Sequence, residues 1–176
     1  MASGYGVFAN GGYLVAPRLI ERITDYRGRV LQDSPTHKPD ESMRVIDARN
    51  AYVMTDLLQE VTRSGTAAKA QGTLKRNDIY GKTGTTNDSM DAWFAGFQRT
   101  IVAVAWIGYD TPRKLGDRET GGGLALPVWI EYMAQALKGV PVQTMTPPEG
   151  VMLYGSDWMY SEFGPGAGVT SLGMED

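Results

Sequence analysis

Asp78-Ile79-Tyr80-Gly81-Lys82-Thr83-Gly84-Thr85-Thr86 runs from a strand-like Asp-Ile-Tyr into one lysine, three threonines and two glycines. Along an extended strand side chains alternate between faces. Lys82 and Gly84 therefore share one face, and Thr83 and Thr85 the other. Gly84 carries no Cβ, which lets another backbone or a ligand approach closely. An ammonium, several hydroxyls and free backbone N–H groups together suit an anionic ligand. Lys82, Thr83, Gly84, Thr85 and Thr86 are accordingly the candidate site.

Two chemistries compete for these residues. Gly81-Lys82-Thr83 matches the end of a phosphate-binding loop. That loop needs a glycine five positions before the glycine of its Gly-Lys pair, and a helix behind it. The earlier position is Arg76, and polar Asn87-Asp88-Ser89 followed by another strand-like run stands where the helix would begin. The nucleotide reading fails on both counts. The alternative is the Lys-Thr-Gly element of serine acyl-transfer enzymes. Three residues alone do not separate it from an exposed lysine beside a strand-end glycine, so the surroundings must decide.

Residues 79–86, 92–98 and 100–109 read as three successive strands, and their short connections predict an antiparallel meander. Val102 to Trp106 is apolar without alternation, which predicts cover on both faces by helices. Trp93 reads as a core aromatic, with lining the cleft as the competing reading. Asp47 can cap a helix running to about Ser64, with Ala48, Tyr52, Leu57, Leu58 and Val61 on its apolar face. Residues 65–77 are small and polar and read as a loop with one helical turn. A second amphipathic helix covers residues 126–137, with Leu126, Trp129, Ile130, Met133 and Leu137 in register and Gly139 and Pro141 at its end. Gly121-Gly122-Gly123 before it lets the chain pass close to the lysine-bearing strand; the competing reading is an anion site at a helix N-terminus.

Upstream, residues 2–10 read as the last turns of a helix stopped by Asn10-Gly11-Gly12. Tyr13-Leu14-Val15 and residues 19–26 are strand-like, with a hairpin turn at Arg27-Gly28. Residues 33–43 form a loop holding the only histidine, His37. Beyond Val142 the periodicity dissolves. Residues 1–142 are expected to be the folded unit and residues 143–176 a linker and tail. Tyr154, Trp158, Tyr160 and Phe163 in that tail read either as a partner patch or as residues that pack only in a longer protein. The fold class is mixed α/β of the α+β kind: an antiparallel sheet flanked by helices.

At 176 residues the chain suits one ordinary domain, and 42% hydrophobic content supports a packed core. A net charge of −3 without a basic cluster argues against nucleic acid. The absence of cysteine excludes disulfides and thiolate metal sites. No cofactor is implied. The longest apolar run, residues 101–107, is too short to span a bilayer, so any membrane link must come from segments outside this sequence.

Several further stretches carry a resemblance: Met1-Ala2-Ser3-Gly4-Tyr5-Gly6-Val7-Phe8-Ala9-Asn10-Gly11-Gly12, Gly81-Lys82-Thr83-Gly84-Thr85-Thr86-Asn87-Asp88, and Asp91-Ala92-Trp93-Phe94-Ala95-Gly96-Phe97. Trp106-Ile107-Gly108-Tyr109-Asp110, Thr120-Gly121-Gly122-Gly123 and Pro127-Val128-Trp129 follow in the same order. From Met1 to about Val151 the chain resembles the C-terminal part of the transpeptidase domain of class A, bifunctional penicillin-binding proteins of the 1A type. That family uses a nucleophilic serine in Ser-x-x-Lys and a second motif, Ser-x-Asn. Ser3, Ser34, Ser42, Ser64, Ser89, Ser156, Ser161 and Ser171 are the serines of this chain. None has lysine three residues on or asparagine two residues on. The resemblance implies that both motifs lie upstream of Met1, as do the family's glycosyltransferase domain and membrane anchor.

The resemblance further implies a periplasmic D,D-transpeptidase on the inner membrane that cross-links peptidoglycan stem peptides ending in D-Ala-D-Ala and is captured by β-lactams. Lys82 and Thr85 are then the catalytic residues, with the Thr85 N–H as half of the oxyanion hole. Thr83, Gly84 and Thr86 bind substrate, Thr83 by reorienting or through a water because its hydroxyl should face away from Lys82. The complementary N-terminal half of the domain is an implied partner that covers the 101–107 strand. The alternatives are a fragment of a β-lactamase or D,D-carboxypeptidase, and a non-catalytic peptidoglycan-binding module.

Overall fold

The computed structural model describes residues 1–34, 39–117 and 119–166; His37 lies outside them. Among the described residues the order is α1 (Ala2–Ala9), β1 (Arg22–Thr24), β2 (Val30–Asp33), α2 (Ala48–Arg63), α3 (Lys69–Leu74), β3 (Tyr80–Thr85), β4 (Ala92–Gln98), β5 (Ile101–Ile107), α4 (Leu126–Ala136), β6 (Val151–Tyr154) and β7 (Asp157–Tyr160). Strands β3, β4 and β5 form the expected antiparallel meander, in that order. The architecture is α+β, an antiparallel sheet with helices against both faces.

Register explains how the faces divide. Tyr80 pairs with Phe97, Lys82 with Ala95 and Gly84 with Trp93, so these six share one face. Tyr5 and Phe8 of α1 pack there against Tyr80, Phe97 and Val102. The opposite face carries Phe94, Ala92, Ala103 and Ala105, covered by Trp129, Ile130 and Met133 of α4 and by Ala67 and Ala70 around α3. Helix α4 buries Leu126, Trp129, Ile130 and Met133 at the predicted spacing. The Trp129 indole N–H donates to the Ala103 carbonyl at 3.0 Å, pinning the helix to β5.

Termini of the elements follow their sequence signals. Asn10 caps α1, Gly11 sits at φ +83°, and the Gly12 N–H bonds the Val7 carbonyl at 2.7 Å, closing a Schellman motif. Asp47 accepts the Arg49 N–H at 2.8 Å and starts α2. Only Arg22–Thr24 of the upstream strand-like stretch pairs with β2, and Tyr13 makes a single bridge to Arg44.

Three expectations change. The buried stripe of α2 is Ala51, Thr55, Leu58 and Thr62, while Leu57 is largely exposed. Two threonines can turn inward because each hydroxyl finds a carbonyl: Thr55 donates to Ala51 at 2.7 Å and Thr62 to Ile79 at 2.6 Å. Strand β5 touches both α1 and α4, yet its residues are only half-buried and Trp106 is exposed. Among the described residues it has one strand neighbour as the edge of the sheet, and the central strand β4 is the more deeply buried, all but Trp93. Within residues 143–176, where a linker was expected, β6 and β7 form a hairpin on α2. Trp158 meets Tyr52 edge-on at 5.2 Å, and Arg49 both covers the Tyr160 ring and pairs with Glu162. Trp158 and Tyr160 therefore pack within the chain itself, whereas Tyr154 and Phe163 stay exposed.

The base of β3 is held by a buried ion pair. Arg76 grips both oxygens of Asp78 at 2.8 and 2.7 Å, and Gln98 and the Gln143 N–H add bonds to the same carboxylate. Arg76 also donates to the Val140 and Pro141 carbonyls. The residue that breaks the phosphate-loop pattern is thus a structural clamp. Burial pushes the Asp78 carboxyl upward, but Arg76, the Gln143 N–H and Gln98 outweigh it and hold it below the ordinary value. Next along, burial and the Asp78 charge push the Tyr80 hydroxyl up to about 12.

Candidate active site

Among the described residues, strand β3 has β4 on one side and no strand on the other. The Thr86 N–H donates to the Asp91 carbonyl across the turn at 3.2 Å. Backbone direction alternates along an antiparallel strand, so the N–H and C=O groups of Thr83 and Thr85 point to the open edge. Lys82, Thr83, Gly84, Thr85 and Thr86 line a depression of roughly 260 Å³ along that edge, shared with Tyr5 and Trp93. Lys82, Thr85 and Thr86 are exposed, and Thr83 and Gly84 half-buried. Trp93 is a wall of this depression, half-buried and tilted against Trp106 at 5.8 Å, rather than a core residue. Gly84 keeps the way to it open: a Cβ there would lie 3.3 Å from the Trp93 Cβ.

The site draws from both faces of the sheet. Lys82 rises on the α1 face, then folds over the edge so that Nζ donates to the Thr83 carbonyl at 2.8 Å and reaches the Thr83 hydroxyl at 3.4 Å. Thr83 emerges on the opposite face, as alternation requires, yet its hydroxyl lies at the edge within reach of the ammonium. The expected separation of these two groups does not hold, because the lysine stem is long enough to cross the backbone.

Both threonine hydroxyls meet partners from distant segments. Thr66, in the turn after α2, places Oγ1 2.9 Å from the Thr83 Oγ1. The Gly121 N–H donates to the Thr85 Oγ1 at 3.0 Å. Gly121–Ala125 is a π-helical turn feeding α4, and it lies so close to β3 that a Cβ on Gly121 would stand 2.3 Å from the Trp93 carbonyl oxygen and 2.5 Å from that of Gly84. Close passage, one of the two readings of the glycine run, is what the geometry displays. Thr66 carried no motif signal, and the small-residue turn before Ala67 was its only hint, whereas Gly121 was marked by the Gly121-Gly122-Gly123 run.

Thr86 plays a different part. Its hydroxyl accepts the Asp91 N–H at 2.8 Å and lies 3.5 Å from the Asp91 carboxylate, which also accepts the Trp106 indole N–H. Its hydroxyl thereby braces the β3–β4 turn. Asp88 and Ser89 in that turn hold φ of 59° and 51°, a conformation that Asp tolerates better than Ser. No group of His, Cys, Asp and Glu among the described residues could hold a metal ion, and no described helix is long and apolar enough to cross a membrane.

Residues 1–133 match the family described as penicillin binding protein transpeptidase domain. Over 158 residues the chain is 49% identical to penicillin-binding protein 1A of Neisseria flavescens, covering 89% of this chain and 20% of that protein. To penicillin-binding protein 1A of Pseudomonas aeruginosa it is 40% identical, covering 86% of this chain and 24% of the relative. The crystal structure of penicillin-binding protein 1A from Haemophilus influenzae superposes with a TM-score of 0.79 at 32% identity, over 86% of this chain and 28% of that one. The D,D-transpeptidase domain of a peptidoglycan glycosyltransferase from Eggerthella lenta gives 0.58 at 25% identity, over 80% and 32%. The chain spans about a fifth to a quarter of the length of the two penicillin-binding proteins 1A it matches in sequence. With the open-edged Lys-Thr-Gly strand, the flanking helices and these matches in agreement, the chain belongs to the penicillin-binding protein transpeptidase family.

Proposed function

We propose that this chain supplies the substrate-clasping side of a serine D,D-transpeptidase that cross-links peptidoglycan at the periplasmic face of the inner membrane. The attacking serine and its lysine come from polypeptide outside these 176 residues, and the complementary half of the domain packs against the open edge of β3. Residues 1–142 form this chain's part of the transpeptidase domain, and residues 143–176 its C-terminal extension. The serine hydroxyl attacks the carbonyl of the penultimate D-alanine of a stem peptide. An ester forms, the C–N bond breaks and the terminal D-alanine leaves with the transferred proton on its amine. An amine of a second stem peptide then attacks the ester, forming the cross-link and restoring the serine.

Lys82 is the fixed positive charge beside the nucleophile and the substrate carboxylate. The Thr85 N–H stabilises the oxyanion, a contribution of about 2.7–4 kcal/mol for one such donor. Thr83 and Thr85 donate their hydroxyls to the terminal carboxylate. A β-lactam presents the same carbonyl and carboxylate and is captured by the same groups. The observation that carries this reading is the convergence on one strand edge of the Lys82 ammonium, two threonine hydroxyls and the outward backbone of Thr83 and Thr85. A fluorescent penicillin tests it. The longer protein is expected to label covalently, Lys82→Ala to lower the labelling rate at least tenfold, and residues 1–176 alone to stay unlabelled. Labelling of the isolated chain would overturn the placement of the nucleophile.

A further inference from the structure

Three groups meet at the Thr83 hydroxyl, and their donor and acceptor capacities constrain where its proton goes. A threonine hydroxyl has one proton and two lone pairs. The Lys82 ammonium can only donate and lies 3.4 Å from the Thr83 Oγ1, so it takes one lone pair. Thr66 Oγ1, at 2.9 Å, is the other partner, and either hydroxyl can be the donor between them. With no anion present the Thr83 proton can go to Thr66. Once a carboxylate lies along the edge, the lower-energy arrangement has Thr66 donating to the second lone pair of Thr83. Both lone pairs are then filled by donors, and the Thr83 proton is committed to the ligand. Successive donation in one direction polarises each bond. The Gly121 N–H does the same for Thr85: it can only donate, and it fills a lone pair of that hydroxyl at 3.0 Å.

We infer that Thr66 is a positioning residue of the anion clasp, acting through Thr83 to aim its proton at the carboxylate of the substrate or β-lactam. The inference rests on the transpeptidase reading given above. Thr66 belongs to a turn fixed independently of β3: the Ala67 N–H bonds the Val61 carbonyl and the Ala68 N–H bonds the Gly65 carbonyl. Ala67 is fully buried, so the turn cannot drift. Thr66 can therefore hold Thr83 without itself moving on binding.

The test compares Thr66→Val and Thr66→Ser in the longer protein, measuring acylation by benzylpenicillin and by its methyl ester, with the melting temperature as a check on folding. Thr66→Val is expected to slow acylation by the free acid roughly tenfold, about one net hydrogen bond to a charged group, and to change the ester rate less than twofold. Thr66→Ser, which keeps the hydroxyl, is expected to stay near the parent rate on both. A peptide ending in D-Ala-D-Ala, competing for the label, should show the same ranking as the free acid. Equal slowing on acid and ester, or no slowing on either, overturns the inference. If the unsubstituted protein does not acylate at all, the transpeptidase reading itself fails and the inference goes with it.

Discussion

Gly121→Ala is the sharpest test of how the site is assembled, because it replaces no candidate catalytic side chain. The added Cβ would lie 2.3 Å from the Trp93 oxygen, 2.5 Å from the Gly84 oxygen and 3.1 Å from the Gly84 nitrogen. All three are backbone atoms of paired strands, so no rotamer change relieves the overlap. Overpacking of this kind costs about 1–3 kcal/mol. Pushing the turn away also stretches the Gly121 N–H bond to Thr85, about 1 kcal/mol more. Restricting the unfolded chain returns about 0.4–1 kcal/mol, leaving a net loss of about 1–3.5 kcal/mol. Gly123→Ala is the internal control: its Cβ would meet only the Thr120 Oγ1, at 3.4 Å. The unfolded-state contribution is common to both substitutions, so the difference between them isolates the clash. Urea unfolding followed by the intrinsic fluorescence of the four tryptophans measures it, with the slope expected to stay constant. Equal stabilities of the two variants would refute the close packing of the π-helical turn on β3.

Asp78→Asn leaves Arg76 buried opposite a neutral side chain and is expected to cost about 3–5 kcal/mol at neutral pH, read from the urea midpoint. The Asp78 carboxyl is held below its ordinary 3.8 in the folded chain. Its stabilising contribution is therefore complete above that value and drains away as pH falls through the lower folded one; the variant should lose this acid-limb dependence. Thr86→Val removes the brace from Asp91 and should cost about 1 kcal/mol of stability while leaving penicillin capture by the longer protein within twofold. Thr85→Val should cut that capture at least tenfold, because a hydroxyl bond to a carboxylate is worth about 1.5–3 kcal/mol. Matching effects at the two positions would contradict the division of roles.

Elements governed by local chemistry were legible. The stop of α1 at Asn10-Gly11-Gly12, the Asp47 cap and the α4 stripe each depend on residues within a turn or two of one another. The meander was legible because its connections are too short for anything but antiparallel pairing. The errors fall where a backbone or tertiary partner overrode a residue's apparent preference. Thr55 and Thr62 look polar on a helical wheel, but helix carbonyls and the Ile79 carbonyl satisfy them inside. The hairpin β6–β7 has little periodicity of its own and draws its order from Tyr52 and Arg49 of α2.

At the site the same distinction separates residue identity from residue state. Strand alternation places Lys82 and Thr83 on opposite faces, and the backbone obeys it. What alternation cannot encode is the reach of a four-carbon stem across a strand edge that has no neighbour to block it. Nor can it encode what fills the lone pairs of Thr83 and Thr85. Those partners arrive from 17 residues before and 36 residues after, through a turn that matches no motif and a glycine run whose own sequence names no hydroxyl partner. A hydroxyl motif in sequence specifies only that a proton is there to be given. The direction in which it is given is set by whichever donors the fold brings behind it, so two chains with the same Lys-Thr-Gly-Thr run can differ in anion affinity without differing at any of those four residues. Substitutions at Thr66 or Gly121 should therefore alter carboxylate recognition as surely as substitutions within the motif, and by routes that motif comparison alone does not reveal.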